Sequence, residues 1–187
     1  HAPEFHAMTT QGKIDFPADY KGSWVVLFSH PADFTPVCTT EFIALSRMNE
    51  TFESLNTKLI GLSIDSLHSH LGWIKSIEAL NFNNEGKVKI PFPIIADISM
   101  NVAKKYGMLQ TVANTQTVRA VFIIDPEGMI RTILYYPMST GRNIPEIIRI
   151  LQSLQLNDKT HYSTPANWQP GDDVVMGAPL TIEEAQE

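Results

Sequence analysis

Apolar positions along the chain follow two periods. Residues 24–29 (WVVLFS) form a continuous apolar run, the pattern of a strand covered on both faces; 58–65 (KLIGLSID), 92–97 (FPIIAD) and 119–125 (RAVFIID) repeat it. Residues 129–136 (MIRTILYY) alternate more and follow the turn sequence DPEG at 125–128, which predicts a hairpin. Between the strands, the spacing changes. Phe42, Leu45, Met48 and Phe52 recur every three or four positions and predict a helix over 37–55. Further helices are predicted at 67–80, 98–106 and 144–155, the last beginning after Asn143 as a cap with Pro145 in its first turn. Strands alternating with helices predict an α/β fold: a central mixed sheet flanked by helices, with an antiparallel hairpin at one side.

Residues 159–187 break the pattern. They hold Pro165, Pro170 and Pro179 with Tyr162, Trp168 and Val174 to Met176, without a period. An irregular apolar tail needs a surface to lie on, its own domain or a second subunit. The expected organisation is one domain over 1–158 and a C-terminal arm over 159–187.

Composition narrows the function. The 187 residues carry a net charge of −6, and the sequence pI is about 5.5. Neither feature suits a nucleic-acid partner, which favours a basic patch. No apolar run approaches the ~18 residues of a membrane span, so no membrane partner is expected. One cysteine forbids an intrachain disulfide and fits a reducing, cytoplasmic setting. No signal peptide is visible, although the sequence starts at His1 without Met, which leaves targeting open. The cysteine bears most of the remaining information.

Cys38 lies in FSHPADFTPVCTTEF (28–42), where the apolar strand has ended and a helix is beginning. Pro36 disfavours an α conformation at Thr35 and itself suits a first helical position. The sulfur then sits in a first helical turn, near free backbone N–H groups and the positive end of the helix dipole, which favour thiolate over thiol. The site also lies beyond the carboxyl end of a strand, where ligands collect in open α/β sheets. A lone cysteine is otherwise a small buried hydrophobe. Position alone leaves both readings open.

Pro31, Thr35 and Cys38 make P-x-x-x-T-x-x-C, which resembles the active-site signature of the peroxiredoxins, and FSHPADFTPVCTTE resembles their one-cysteine, peroxiredoxin-six-like branch. The likeness continues at VRAVFIIDPEG (118–128), YYPMSTGRN (135–143) and TPANWQPGDDVV (164–175). HAPEF looks like the later part of that family's opening strand. The resemblance implies a thioredoxin-like fold and a thiol peroxidase acting on hydrogen peroxide or alkyl hydroperoxides, with no cofactor. It further implies that Cys38 attacks peroxide and becomes a sulfenic acid. Thr35 would direct its hydroxyl at the sulfur and the peroxide, Arg119 would hold the thiolate and bind peroxide oxygen, and Pro31 would shield the pocket. Glu41, at i+3 from Cys38, would orient Arg119 and Arg142. Phe34 and Val37 would line an apolar mouth. His30 would tune the pocket or meet a reductant.

Each residue also has a plainer reading: Arg119 a surface charge, Glu41 a first-turn acid, Thr35 a cap, Pro31 a strand terminator, His30 a surface histidine. His68 and His70 (HSH) look like a metal pair, but i and i+2 leave a helix on different faces and no second ligand cluster is visible, so no metal is expected. With no second thiol in the sequence, the sulfenic acid requires an external thiol or thioredoxin-like reductant. Some relatives link phospholipase activity to a G-x-S-x-G serine; here KGSWV (21–25) keeps Ser23 but has Lys21 and Val25 where the glycines stand, which argues against that activity. The resemblance suggests a homodimer paired through 129–136, or a ring of dimers. A cysteine hydrolase, an oligomeric chaperone and a peroxide sensor are the competing readings.

Overall fold

Trp24–Ser29 is buried at all six positions, as a strand with neighbours on both edges and both faces must be. In the computed structural model, which describes residues 1–111, 114–177 and 182, the chain order is β1 (Phe5–Thr9), β2 (Gly12–Phe16), β3 (Trp24–Ser29), α1 (Pro36–Arg47), α2 (Asn49–Ser54), β4 (Thr57–Ser63) and α3 (Leu67–Ala79). There follow β5 (Ile94–Ala96), α4 (Asn101–Lys105), β6 (Leu109–Thr111), β7 (Asn114–Thr117), β8 (Arg119–Ile124), β9 (Ile130–Tyr136) and α5 (Ile144–Thr160).

Seven strands form one sheet in the order β2-β1-β5-β4-β3-β8-β9. β3, β4 and β5 are parallel, while β8 and β9 run antiparallel beyond β3 as the predicted hairpin. The five predicted strands are present, each within two residues of its predicted ends. Two features differ from expectation. The helix predicted over 37–55 is two helices, interrupted at Met48, and that predicted over 98–106 shortens to five residues. The β1–β2 hairpin and the β6–β7 pair were not visible in the pattern.

Alternation along β3 sorts the helices to the two faces. Val25 and Leu27 join Phe5, Phe16, Tyr106 and Phe122 on one side, with Val102 and Ala103 of α4. On the other, the Phe28 ring meets Phe42 of α1 and Phe92 at 5.5 and 5.6 Å, and Phe42 meets Trp73 of α3 at 4.5 Å. Gly61 of β4 lies beneath this cluster. A Cβ there would stand 3.3 Å from Phe42 and 3.4 Å from Phe28, so any larger residue would press on both rings where α1 approaches the sheet.

The chain divides into two units, His1–Ile144 and Pro145–Glu187. In the second, the turn after α5 is tied by Asn157 donating to the Tyr162 carbonyl. Ser163 and Val175 exchange backbone hydrogen bonds at 2.8 Å, and Trp168 donates its indole N–H to the Asp172 carbonyl. The end of the predicted arm, 178–181 and 183–187, lies outside the described residues.

Candidate active site

β3 ends at Ser29, and three bonds fix the backbone there. The His30 amide donates to the Leu62 carbonyl, the Thr117 hydroxyl to the His30 carbonyl, and the Ser29 hydroxyl to the Val118 carbonyl. The loop then turns into α1, whose cap is Thr35 in extended backbone with Pro36 at the first helical position. Cys38 thus stands in the first turn, where backbone N–H groups have no intrahelical acceptor. It is a free thiol, fully buried.

Three charged side chains converge on it. Arg119, at the start of β8, donates from Nη1 to the Cys38 sulfur at 3.3 Å and to Glu41 Oε2 at 2.8 Å. Its Nε donates to the Met138 carbonyl at 2.9 Å, which fixes the plane of the guanidinium. Arg142 reaches Glu41 through its backbone N–H, Nε and Nη2 at 2.9, 3.0 and 2.6 Å. Its Nη1 donates to the Ser29 and Ala120 carbonyls, so it also ties β3 to β8. All three side chains are at most 4% exposed. Buried charges persist only when paired and hydrogen-bonded, and Glu41 satisfies both arginines. Arg119 is therefore not a surface charge, nor Glu41 a plain first-turn acid. A guanidinium N–H aimed at sulfur donates more strongly to thiolate than to thiol.

The other predicted residues surround this set. Pro31 is buried. Thr35 departs from expectation: its hydroxyl donates to the Ala32 carbonyl at 2.8 Å, so the proton is engaged by the loop and the oxygen is left to act as an acceptor. Phe34 is 60% exposed with a left-handed φ of 58°, an uncommon backbone for a bulky residue and one that concentrates at functional sites. Its ring rests over Gly72 of α3, and Val37 over Gly141.

His30 requires a correction. It is fully buried, neither a surface residue nor able to touch a reductant protein in this state. Its Nε2 bonds Asp33 Oδ1 at 2.8 Å, and Asp33 Oδ2 bonds His70 Nδ1 at 2.8 Å. His68 and His70 do leave α3 on different faces, one exposed and one buried. The second cluster absent from the sequence pattern exists in space: ligand atoms of His30, Asp33 and His70 lie within 4.8 Å of one another. Such a set suits a transition metal, but two short hydrogen bonds already engage its lone pairs. Sequence reasoning missed Asp33 and His70. They stand 37 positions apart, and neither lies in a motif that pairs them.

Burial, the largest influence, pushes the His30 pKa down against the raising effect of Asp33. Burial opposes ionisation of Asp33 as well, but hydrogen bonds from His30 and His70 outweigh it and hold the carboxyl well below its usual range. Both shifts act in one direction. As pH falls through 6.5, unfolded His30 takes up a proton that the folded ring resists, and below 3.8 unfolded Asp33 does the same. The contribution of these two groups to stability should therefore decline as pH falls from about 6.5 to 5 and again below 4. Denaturant midpoints across that range check this, and His30→Gln should flatten the first decline.

Ser23 lies at the far end of β3. Its hydroxyl makes a long 3.4 Å bond to Asn56 Oδ1, in a cleft of about 210 Å³ lined by Pro17, Tyr20, Lys21 and Pro126. The described lining contains no histidine to serve as a base.

Comparison with known proteins agrees with this geometry. A family model described as the AhpC/TSA family matches residues 1–133, and one described as the C-terminal domain of 1-Cys peroxiredoxin matches 153–187. A peroxiredoxin of Methanosarcina mazei is 60% identical over 188 residues, covering 100% of this chain and 86% of that protein. Among solved structures, a yeast mitochondrial 1-Cys peroxiredoxin superimposes with a TM-score of 0.89 at 45% identity, over 99% of this chain and 88% of that one. A cysteine-to-serine mutant of the peroxiredoxin 6 of Arenicola marina gives 0.88 at 40%, over 98% and 84%. With a buried thiol under a fixed guanidinium and likeness along its whole length, this chain belongs to the peroxiredoxins, the thiol peroxidases, and has their thioredoxin-like fold.

Proposed function

We propose that this peroxidase reduces hydrogen peroxide and organic hydroperoxides by a one-cysteine cycle. The observation that carries this is the 3.3 Å contact between Arg119 and the sulfur of the sequence's single cysteine. The Cys38 thiolate attacks one peroxide oxygen; an S–O bond forms, the O–O bond breaks, and hydroxide or alkoxide leaves and takes a proton. Charge develops on both oxygens, and fixed donors in a water-poor pocket stabilise it. Arg119 and the Cys38 amide supply those donors, and Thr35 accepts the peroxide O–H. Pro31 keeps water out, Glu41 and Arg142 hold Arg119 in place, His30 tunes the pocket, and Phe34 with Val37 form its apolar rim. No second thiol in these 187 residues can condense with the sulfenic acid. A small thiol or a thioredoxin-like protein reduces it, as glutathione and thioredoxin systems do for the yeast relative.

The same reading assigns the active protein a homodimer. β9 ends the sheet, with Ile133 46% and Tyr135 53% exposed at its free edge. Stopped-flow oxidation by hydrogen peroxide and an alkyl hydroperoxide, followed by thiol addition, tests the cycle. Cys38 should oxidise far faster than free cysteine and recover with thiol. Intact mass after excess peroxide should show two or three added oxygens. Oxidation no faster than free cysteine, or a disulfide as main product, would rule the cycle out.

A further inference from the structure

Loop 30–35 carries Pro31, Phe34 and Thr35, and it is fastened to α3 from inside the protein. Asp33, its side chain 1% exposed, accepts from His30 Nε2 on one oxygen and from Ser69 Oγ and His70 Nδ1 on the other, each at 2.8 Å. The Asp33 amide donates to Asp65 Oδ2, itself held by the Ser63 hydroxyl. His70 continues the chain inward, its Nε2 meeting the Ile95 carbonyl of β5 at 3.1 Å. A carboxylate and a carbonyl can only accept. Both contacts of the His70 ring are thus with acceptors, a geometry satisfied when each ring nitrogen carries a proton. So protonated, it gives the buried carboxylate a counter-charge beside the hydrogen bond from His30. The same bonds make His30 a neutral ring with its proton on Nε2, and its buried Nδ1 has no partner among the described residues.

We infer that the buried Asp33–His70 ion pair is a latch: by clamping loop 30–35 to α3 it positions the Cys38 pocket for small peroxides and closes it to larger electrophiles. The inference rests on the peroxidase reading for its first half only. Asp33 and His70 are positioning residues, acting through Pro31, Thr35 and the Phe34 ring that rests on Gly72 of the same helix. The left-handed Phe34 backbone is the strained state that such a clamp maintains.

The decisive measurement compares His70→Gln with the unaltered protein in two reactions of Cys38. Oxidation by hydrogen peroxide should slow about tenfold to a hundredfold, the order expected from a small misplacement of reacting groups. Alkylation by a bulky maleimide should accelerate about as much. A residue that only supports the fold would change the two rates together. The double variant Asp33→Asn/His70→Gln replaces the ion pair by a neutral amide pair, leaves no unpaired charge and should restore both rates to within about threefold. Rates that move in parallel, or stay unchanged, would overturn the latch. Should His70→Gln fail to fold, nitrogen-15 spectra of the unaltered protein near neutral pH still decide. One buried ring should show both nitrogens protonated and another a bare Nδ1; two neutral rings would overturn the proposal. If the protein proved unreactive toward peroxide, the maleimide rates and the spectra would still test the latch separately.

Discussion

Cys38→Ser should reduce peroxide consumption to that of buffer while leaving the fold intact. A serine hydroxyl stays protonated where a thiol ionises, and the thiolate, not the thiol, is the attacking species. Nothing else in the sequence can take over, since it contains no other thiol. Structural cost is small, because a hydroxyl is no larger than the thiol it replaces and can accept the Arg119 N–H now directed at sulfur. Peroxide loss followed with excess thiol, alongside circular dichroism, gives the result. Turnover within tenfold of the unaltered protein would show that another group performs the chemistry. The same variant separates the rival roles. A chaperone would still protect clients from aggregation, whereas a peroxide sensor or a cysteine hydrolase would lose its activity with the sulfur.

The part of this site that sequence discloses is the part built from local chain direction. An apolar run that stops, two prolines and a cysteine place the sulfur in a first helical turn, because proline stereochemistry fixes where the helix begins. Glu41 on the same helical face follows from the period alone. That Arg119 and Arg142 converge on Glu41 does not: they lie 78 and 101 positions away, and only likeness to the family motifs joined them beforehand. Where no motif joins two distant positions, the sequence is silent. Asp33 reads as a polar loop residue and His70 as half of an apparent metal pair, until the fold brings α3 against the loop and buries both. Of the readings open for His30, the surface residue and the reductant contact fail for the same reason. A histidine after a strand looks solvent-bound unless its acceptor is known.

Fold-level omissions have a related cause. β1 and β2 do alternate in burial, but each is five residues long with few large apolar positions, so the period is too brief to stand out. Their place in the sheet comes from long-range pairing, Thr9 with Ile95, which local pattern does not encode. The apolar spacing over 37–55 continues across Met48 even though the helix is interrupted there, since periodicity registers faces and not breaks in the backbone.

Arg119→Ala should slow Cys38 oxidation by about a hundredfold to a thousandfold, the loss typical of removing one preorganised donor from a charge-stabilising site. The geometry makes this residue hard to replace. Its Nη1 alone serves the sulfur and Glu41, its Nε is anchored by Met138, and among the described residues its Nη2 is left for a peroxide oxygen. Removing a partner from a buried ion pair usually destabilises strongly. Here the cost is moderated, because Glu41 keeps three hydrogen bonds from Arg142 and is not left as an unpaired charge. The variant should therefore fold, with its loss concentrated in the oxidation step. Arg119→Lys separates charge from geometry: an ammonium keeps the positive charge but not the rigid fork that spans sulfur and carboxylate, so its rate should fall between the two. Stopped-flow oxidation of all three proteins, with thermal unfolding as a control, decides the matter. Arg119→Ala oxidising within about threefold of the unaltered protein would mean that the guanidinium only supports Glu41, and that the charge developing on peroxide is stabilised from elsewhere.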